Sequence, residues 1–460
     1  MTAADAGKVL LVLVVTAATY GGLRVLQVRA RPAPELVRKL FHISGGLLAL
    51  SFPWLFDDFF PVLVLGVIVT AALVALRLVP NLRSGLGQVL FSVQRESIGE
   101  LCYIASVVLL FWLAGNDRLL YSVPVLVLAL ADTFAALIGE QYGKLPLTIT
   151  GGTKSHEGAL AFFLTAFFCV HVPVLLWGGT GRLESLLIGV DLSLLAMMAE
   201  AAAWWGLDNL IIPIWGYMML KSLLEMDSPQ LATHMVVVLV MSLTVRFWRN
   251  RTTLGDDALF GAILWGYVVW VVGGWRWVIP PAIQLLTYAT ITARTPVSQQ
   301  RVFRFPAVLA NISGAFFWLL VFRQSGEAAM FFPFAACFGA NVAIIALVRQ
   351  KAAFPETGWR KALSVNAAKG MVVVVPAILV MEGLSWSTLL DLGAALLAVY
   401  AATAAFYRLK PAVPDFTEDA GQWARQSAVV AVTSTLAIGI RYGVLRNVSL
   451  IDVLNPLNFI

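Results

Sequence analysis

Tyr121-Ser-Val-Pro-Val-Leu-Val-Leu-Ala-Leu-Ala131 is an apolar run that leads directly into Asp132-Thr133-Phe134-Ala135-Ala136-Leu137-Ile138-Gly139. A helix needs about 20 predominantly apolar residues to cross a bilayer, and the two pieces together are long enough. A carboxylate at that depth is costly, so Asp132 marks a functional site. Gly143 comes next, then Thr153-Lys154-Ser155-His156-Glu157-Gly158 just before the next apolar run. An acid, glycines, a lysine and a second acid at a membrane edge are the parts that hold a metal and a phosphate chain. Phosphoryl transfer within a membrane is therefore the first hypothesis.

Composition sets the class. Hydrophobic residues make up 60% of the 460 and charged residues 13%, with a mean hydropathy of +0.84. Soluble domains are closer to half apolar and a quarter charged, so the chain reads as an all-α, polytopic membrane bundle. At about 20 residues per crossing plus short loops, its length accommodates roughly 13–15 transmembrane helices. The apolar runs are continuous rather than alternating, which excludes a β-barrel. The net charge of +6 is that of cytoplasmic-loop Lys and Arg, not of a nucleic-acid surface. Cys102, Cys169 and Cys337 are isolated in apolar runs, which argues against zinc, redox chemistry or a disulfide frame. Residues 9–19 mimic a signal-peptide core, but without a small-residue cleavage site they read as a retained first helix.

Crossings in the first half fall at roughly 8–27, 40–56, 60–79, 100–115, 119–139, 158–178, 184–205, 210–224 and 231–247. The eighth is short and contains Pro213, which predicts a broken or partial span. With it counted, Arg29, Arg31, Arg38, Lys39, Arg83, Arg95, Lys144, Lys154, Arg246, Arg249 and Arg251 share one side. Asp57, Asp58, Asn116 and Asp117 take the other. The basic side is expected to be cytoplasmic, in a bacterial inner membrane or its equivalent. His42, Arg95, Asp132, Lys154 and Asp208-Asn209 then meet at that face, where nucleotides are available. The basic stretch 246–253 divides the chain into membrane domains of residues 1–250 and 251–460, the second with six or seven further apolar segments.

On a helix, Asp132, Ala136, Gly139 and Gly143 share one face, an acid followed by small side chains. Small-residue packing accounts for such glycines but not for the acid. Gly151-Gly152-Thr153-Lys154-Ser155 superficially resembles a phosphate-binding loop, yet no glycine stands five residues before Gly152. The physics still holds: glycine backbone presents N–H groups to phosphate and Lys154 adds a point charge. Glu157 can cap the following helix. Arg38-Lys39-Leu40-Phe41-His42 opens the second helix, its basic pair also suited to anchoring at the interface. Glu96 and Glu100, at i and i+4 after Arg95, repel unless a cation sits between them. Glu200 and Asp208-Asn209 are acids and an amide in apolar surroundings, either a structural polar network or part of the site.

Together these residues resemble the dolichol kinase and phytol kinase family, membrane kinases of isoprenoid alcohols that use CTP. The resemblance covers about residues 35–215. It rests on Arg38-Lys39-x-x-His42, Arg95-Glu96-x-x-Gly99-Glu100, Asp132-Thr133 with Gly139 and Gly143, Lys154-Ser155-x-Glu157-Gly158, and Glu200 with Asp208-Asn209-x-x-x-Pro213. CTP-dependent diacylglycerol kinases and phosphatidate cytidylyltransferases look similar at this level, and an ion-coupled transporter is the alternative from another class. The resemblance implies a phosphoryl donor, CTP, bound with Mg2+, and a membrane lipid alcohol such as phytol or a polyprenol as acceptor. It assigns Asp132, Glu100 and Glu200 to the metal. It assigns Arg38, Lys39, Arg95, Gly139, Gly143, Ser155, Gly158 and Asn209 to nucleotide and phosphate. Asp132, Lys154, Glu157, His42 and Asp208 carry the chemistry, with His42, Glu157 and Asp208 all open as general base.

The second half faintly resembles the phytyl-phosphate kinase family, through Gly261, Gly273-Gly274-Trp275 and Leu309-Ala310-Asn311 with Gly314. That family carries an acid where this chain has Ala340-Asn341-Val342-Ala343. A degenerate second domain is the expectation.

Overall fold

In hydrocarbon every backbone N–H and C=O must find its partner within the chain, and the computed structural model shows the apolar runs as helices accordingly. The structure describes residues 1–84, 87, 89, 97–149, 154–203, 205–249, 252, 254–288, 303–409 and 420–441. Eleven helices among them are long and apolar enough to cross a membrane. The protein is a polytopic, integral-membrane helical bundle. Contacts divide it into two units, Met1–Leu243 and Thr244–Ile460.

The first unit holds nine principal helices among the described residues: α1 (Ala3–Ala30), α2 (Pro34–Leu50), α3 (Phe59–Leu78), α4 (Gly99–Ala114), α5 (Arg118–Tyr142), α6 (His156–Trp177), α7 (Arg182–Ala202), α8 (Asp208–Leu224) and α9 (Ser228–Trp248). Three further helices of this unit fall just short of that length. Helices α2, α4 and α8 have only 17, 16 and 17 residues. Their first two turns carry Arg38 and Lys39, Glu100, and Asp208, so polar groups take up length that lipid-facing residues would otherwise fill. Pro213 does not break its helix, which runs continuously from Asp208 to Leu224.

Local chemistry explains several ends. Thr2 and Asp5 form a reciprocal capping box on α1. Asp117 caps α5 by accepting from the Leu120 amide at 2.9 Å. Inside α5, Pro124 removes a backbone donor, and Val127–Ala131 form a π-turn immediately before Asp132. A π-turn places an extra residue in one turn, rotating the residues beyond it by about 100° relative to an unbroken α-helix. It thereby re-aims Asp132. The α-helical part resumes at Asp132 and ends at Tyr142, so Gly143 is extended and lies beyond the face predicted for it.

Between α5 and α6 the chain forms a two-stranded antiparallel ribbon, β1 (Pro146–Leu147) with β2 (Lys154–Ser155), Leu147 opposite Lys154. The ribbon is what places Lys154. The turn joining α7 to α8 is equally specific, with Trp205 and Gly206 both at positive φ (60° and 83°). A Cβ on Gly206 would lie 2.4 Å from Ser97 Oγ and 2.5 Å from the Gly99 backbone, so only glycine lets this turn press against the start of α4.

In the second unit the helices are α10 (Asp256–Gly273), α11 (Ile279–Thr287), α12 (Phe305–Ser325), α13 (Phe331–Ala353), α14 (Trp359–Glu382), α15 (Trp386–Leu409) and α16 (Ala420–Gly439). Helix α13 is its core, and its Phe334 and Phe338 pack with Trp277 and Trp318. Asn341 of α13 is fully buried, donating to the Asn311 carbonyl at 2.8 Å and accepting from Gln426 Nε2 at 2.8 Å. Neutral amides thus satisfy one another at this position of α13.

Candidate functional site

Asp132, Glu200 and Asp208 come from three different helices, and one carboxylate oxygen of each lies within 4.8 Å of the others. Among the described residues no other group of three His, Cys, Asp or Glu side chains converges in this way. The re-aimed α5 supplies Asp132. The last turn of α7 supplies Glu200, and the first residue of α8 supplies Asp208, where a carboxylate is favoured by the helix dipole.

Two lysines answer the acids. Lys39 Nζ lies 2.6 Å from Asp132 Oδ2 and also donates to the Asp132 carbonyl at 3.2 Å, a pairing across 93 positions. Lys154 Nζ lies 2.8 Å from Glu200 Oε1 and donates to the Glu200 carbonyl as well. That carbonyl is one of the last on α7 and has no helical partner among the described residues, so an ammonium suits it twice over. Asp208 carries no ion pair among the described residues, and one of its oxygens accepts from the Asn209 amide at 3.1 Å. Among the described residues, two of the three carboxylates are thus ion-paired to lysines.

His42 sits at the inner edge. Its Nε2 is 3.5 Å from Asp132 Oδ2 and 3.0 Å from the Leu128 carbonyl. A carbonyl can only accept, so Nε2 carries the proton and donates to Leu128. The His42 ring packs on Tyr103 with centroids 4.7 Å apart.

The other predicted site residues have different places. Arg38 is held by Glu35 through two hydrogen bonds, of 2.9 and 2.5 Å, and is within electrostatic reach of Asp132 and Glu100. Glu100 stands in the first turn of α4 but is not one of the converging acids. Glu157 is away from them too, since both its carboxylate oxygens accept from the Leu145 amide at 3.3 Å and so fasten the ribbon. Asn209 donates from Nδ2 to the Gly99 carbonyl at 3.0 Å, tying α8 to α4. Arg95 lies outside the described residues, as does 150–153, the tip of the glycine-containing loop.

Gly139, Gly143, Ser155 and Gly158 do come together, at a helix contact. A Cβ on Gly158 would be 2.8 Å from the Ala135 carbonyl, and one on Gly143 would be 2.7 Å from Ser155 Oγ. The missing side chains let α5 and α6 meet backbone to backbone. Ser155 caps α6 by accepting from the Gly158 amide at 3.1 Å, and the Gly143 amide donates to the Gly139 carbonyl at 3.1 Å. These amides are already bonded within the protein.

Glu35 and Tyr103 were not singled out from sequence. Glu35 had a signal, its i, i+3 spacing to Arg38. Tyr103 had none, being one aromatic residue in an apolar helix.

The chain is 31% identical to a phytol kinase from Synechocystis sp. over 207 residues, covering 43% of this chain and 85% of that protein. No protein-family model matches it, and neither does any solved structure. An identity of that extent, spanning nearly the whole of the relative, means that the chain belongs to the dolichol kinase and phytol kinase family.

Proposed function

We propose that the first unit transfers the γ-phosphoryl group of a nucleoside triphosphate to a membrane isoprenoid alcohol such as phytol or a polyprenol. The supporting observation is the convergence of Asp132, Glu200 and Asp208 within 4.8 Å, two of them ion-paired to Lys39 and Lys154. The resemblance carried by the sequence motifs favours CTP as the donor. The positive charge of the loops favours the cytoplasmic face for this chemistry.

An all-oxygen donor set at that spacing fits a small hard cation, and Asp132, Glu200 and Asp208 are the residues that would hold Mg2+. When bound, Mg2+ neutralises charge developing on the transferring phosphoryl group. Phosphoryl transfer otherwise asks for positioning and electrostatics. Lys39 and Lys154, held beside the acids, exchange part of that pairing for phosphate oxygens when the nucleotide enters. The acceptor oxygen forms its bond to the γ-phosphorus as the bridge to the β-phosphate breaks, and the nucleoside diphosphate leaves. Of the three candidate bases, Glu157 is committed to the ribbon, and His42 keeps only Nδ1 free because its Nε2 donates to Leu128. Asp208, without an ion pair among the described residues, is the group we assign to receive the hydroxyl proton, through the carboxylate oxygen not turned to the cation. The second unit, with amides where an acid would be needed, is assigned to packing and lipid access rather than chemistry.

An acceptor panel tests the reading. Purified protein given CTP and Mg2+ should phosphorylate phytol or a polyprenol in preference to diacylglycerol, and should leave phosphatidate unconverted. Formation of CDP-diacylglycerol from phosphatidate would replace the kinase with a cytidylyltransferase.

A further inference from the structure

Tyr103 is more than nine-tenths buried, and its hydroxyl has no hydrogen-bond partner among the described residues. The nearby Ser106 Oγ donates instead to the Tyr103 backbone carbonyl, at 2.8 Å. Buried hydroxyls ordinarily find a partner, and one left open in hydrocarbon calls for an explanation.

Its surroundings supply one. The Tyr103 ring lies against His42, which borders Asp132, so the open hydroxyl is on the membrane-interior side of the acidic cluster. Two glycines of α2 face it. A Cβ on Gly46 would fall 3.2 Å from the hydroxyl and 2.3 Å from Ala129 Cβ, so Gly46 is a packing glycine. Gly45 is different. It is only partly buried, and a Cβ there would touch nothing but Tyr103 Cε1 and the hydroxyl, each at 3.9 Å. On the Gly45 side α2 presents no side chain to the hydroxyl, and a Cβ there would still sit 3.9 Å from an oxygen that is closed to solvent.

We infer that Tyr103 receives the hydroxyl of the lipid acceptor, which approaches along α2 past Gly45. The inference rests on the kinase reading above and narrows its acceptor to a primary alcohol at the end of a hydrocarbon chain. A phenol can donate to the acceptor oxygen or accept its proton, so a single neutral hydroxyl satisfies it. A phosphate monoester would bring its charge into a niche that offers a phenol and two glycines and no cation of its own. Tyr103 positions the oxygen and takes no part in the bond exchange. The acceptor O–H proton goes to the base, and the oxygen bonds to the γ-phosphorus.

Tyr103→Phe removes one oxygen and nothing else. The variant should raise KM for phytol about three- to tenfold, the worth of one neutral hydrogen bond, with KM for the nucleotide unchanged. Thermal unfolding in detergent supplies a readout apart from turnover. Phytol should raise the Tm of the unmodified protein, raise that of Tyr103→Phe less, and phytol methyl ether should act weakly on both. The Tm without ligand should be unchanged or higher, since no existing hydrogen bond is lost. Gly45→Leu, whose Cβ meets only Tyr103 at 3.9 Å, should abolish the phytol-induced shift and leave a nucleotide-induced shift intact. Equal phytol KM and equal Tm shifts in the unmodified protein and Tyr103→Phe would overturn the inference while leaving the kinase reading standing. Failure of the unmodified protein to phosphorylate phytol or be stabilised by it would overturn both.

Discussion

Two of the three acids at the cluster are tied to particular lysines, and those partners decide what a substitution does. Asp132→Asn should lower turnover at least about a thousandfold, because it removes a charge from the set that faces the phosphoryl group. It also leaves Lys39, 4% exposed, without its counter-ion, so stability should fall by about 3–5 kcal/mol. The double variant Lys39→Met with Asp132→Asn should recover most of that stability and none of the activity. A cycle in which the two losses simply add would show that the pair is not coupled. Lys154→Ala should raise nucleotide KM about tenfold or more with little effect on the KM for alcohol, while Lys154→Arg retains much of the affinity. Steady-state kinetics with each substrate varied separately reads this directly. A selective loss of lipid affinity would remove Lys154 from the phosphate-binding role.

At the scale of elements, the site depends on three local departures from regular helix. The π-turn aims Asp132, the two-residue ribbon carries Lys154, and the left-handed turn at Trp205-Gly206 sets Asp208 beside α4. Gly206→Ala should cost about 1–3 kcal/mol, since it combines a positive φ with a Cβ 2.4 Å from Ser97 Oγ. A Tm equal to that of the unmodified protein would mean the turn has room that its geometry denies. These departures mark the boundary of what the sequence made legible. Asp132, Lys154, Glu200 and Asp208 stood out because charges in apolar runs are few and costly, and such residues tend to meet. Which charge pairs with which did not stand out. Lys39 finds Asp132 across 93 positions only once α2 and α5 are packed. Glu157, equally conspicuous in sequence, turned toward the ribbon because the Leu145 amide lay within its reach. Gly143 left its predicted face because the helix stops one residue earlier, a boundary that periodicity does not fix.

For the whole molecule, helical class and membrane character came from composition, and eleven of the described helices are long and apolar enough to cross a membrane. Polar helix starts at the site shorten α2, α4 and α8, and a length-based count cannot see that. Orientation is open to direct labelling. Cys102, Cys169 and Cys337 are buried and can be replaced by Ala or Ser, after which Lys144→Cys and Asp117→Cys should label from opposite faces, Lys144→Cys from the cytoplasm. Labelling of both from one face would break the expected topology. The most direct test of the account traces the γ-phosphorus itself. Purified full-length protein with Mg2+, phytol and CTP labelled at the γ-phosphate should move the label into an organic-soluble lipid monophosphate and release CDP in equal amount, and Asp132→Asn should do neither. Label recovered in pyrophosphate, or transfer by Asp132→Asn at the unmodified rate, would contradict it.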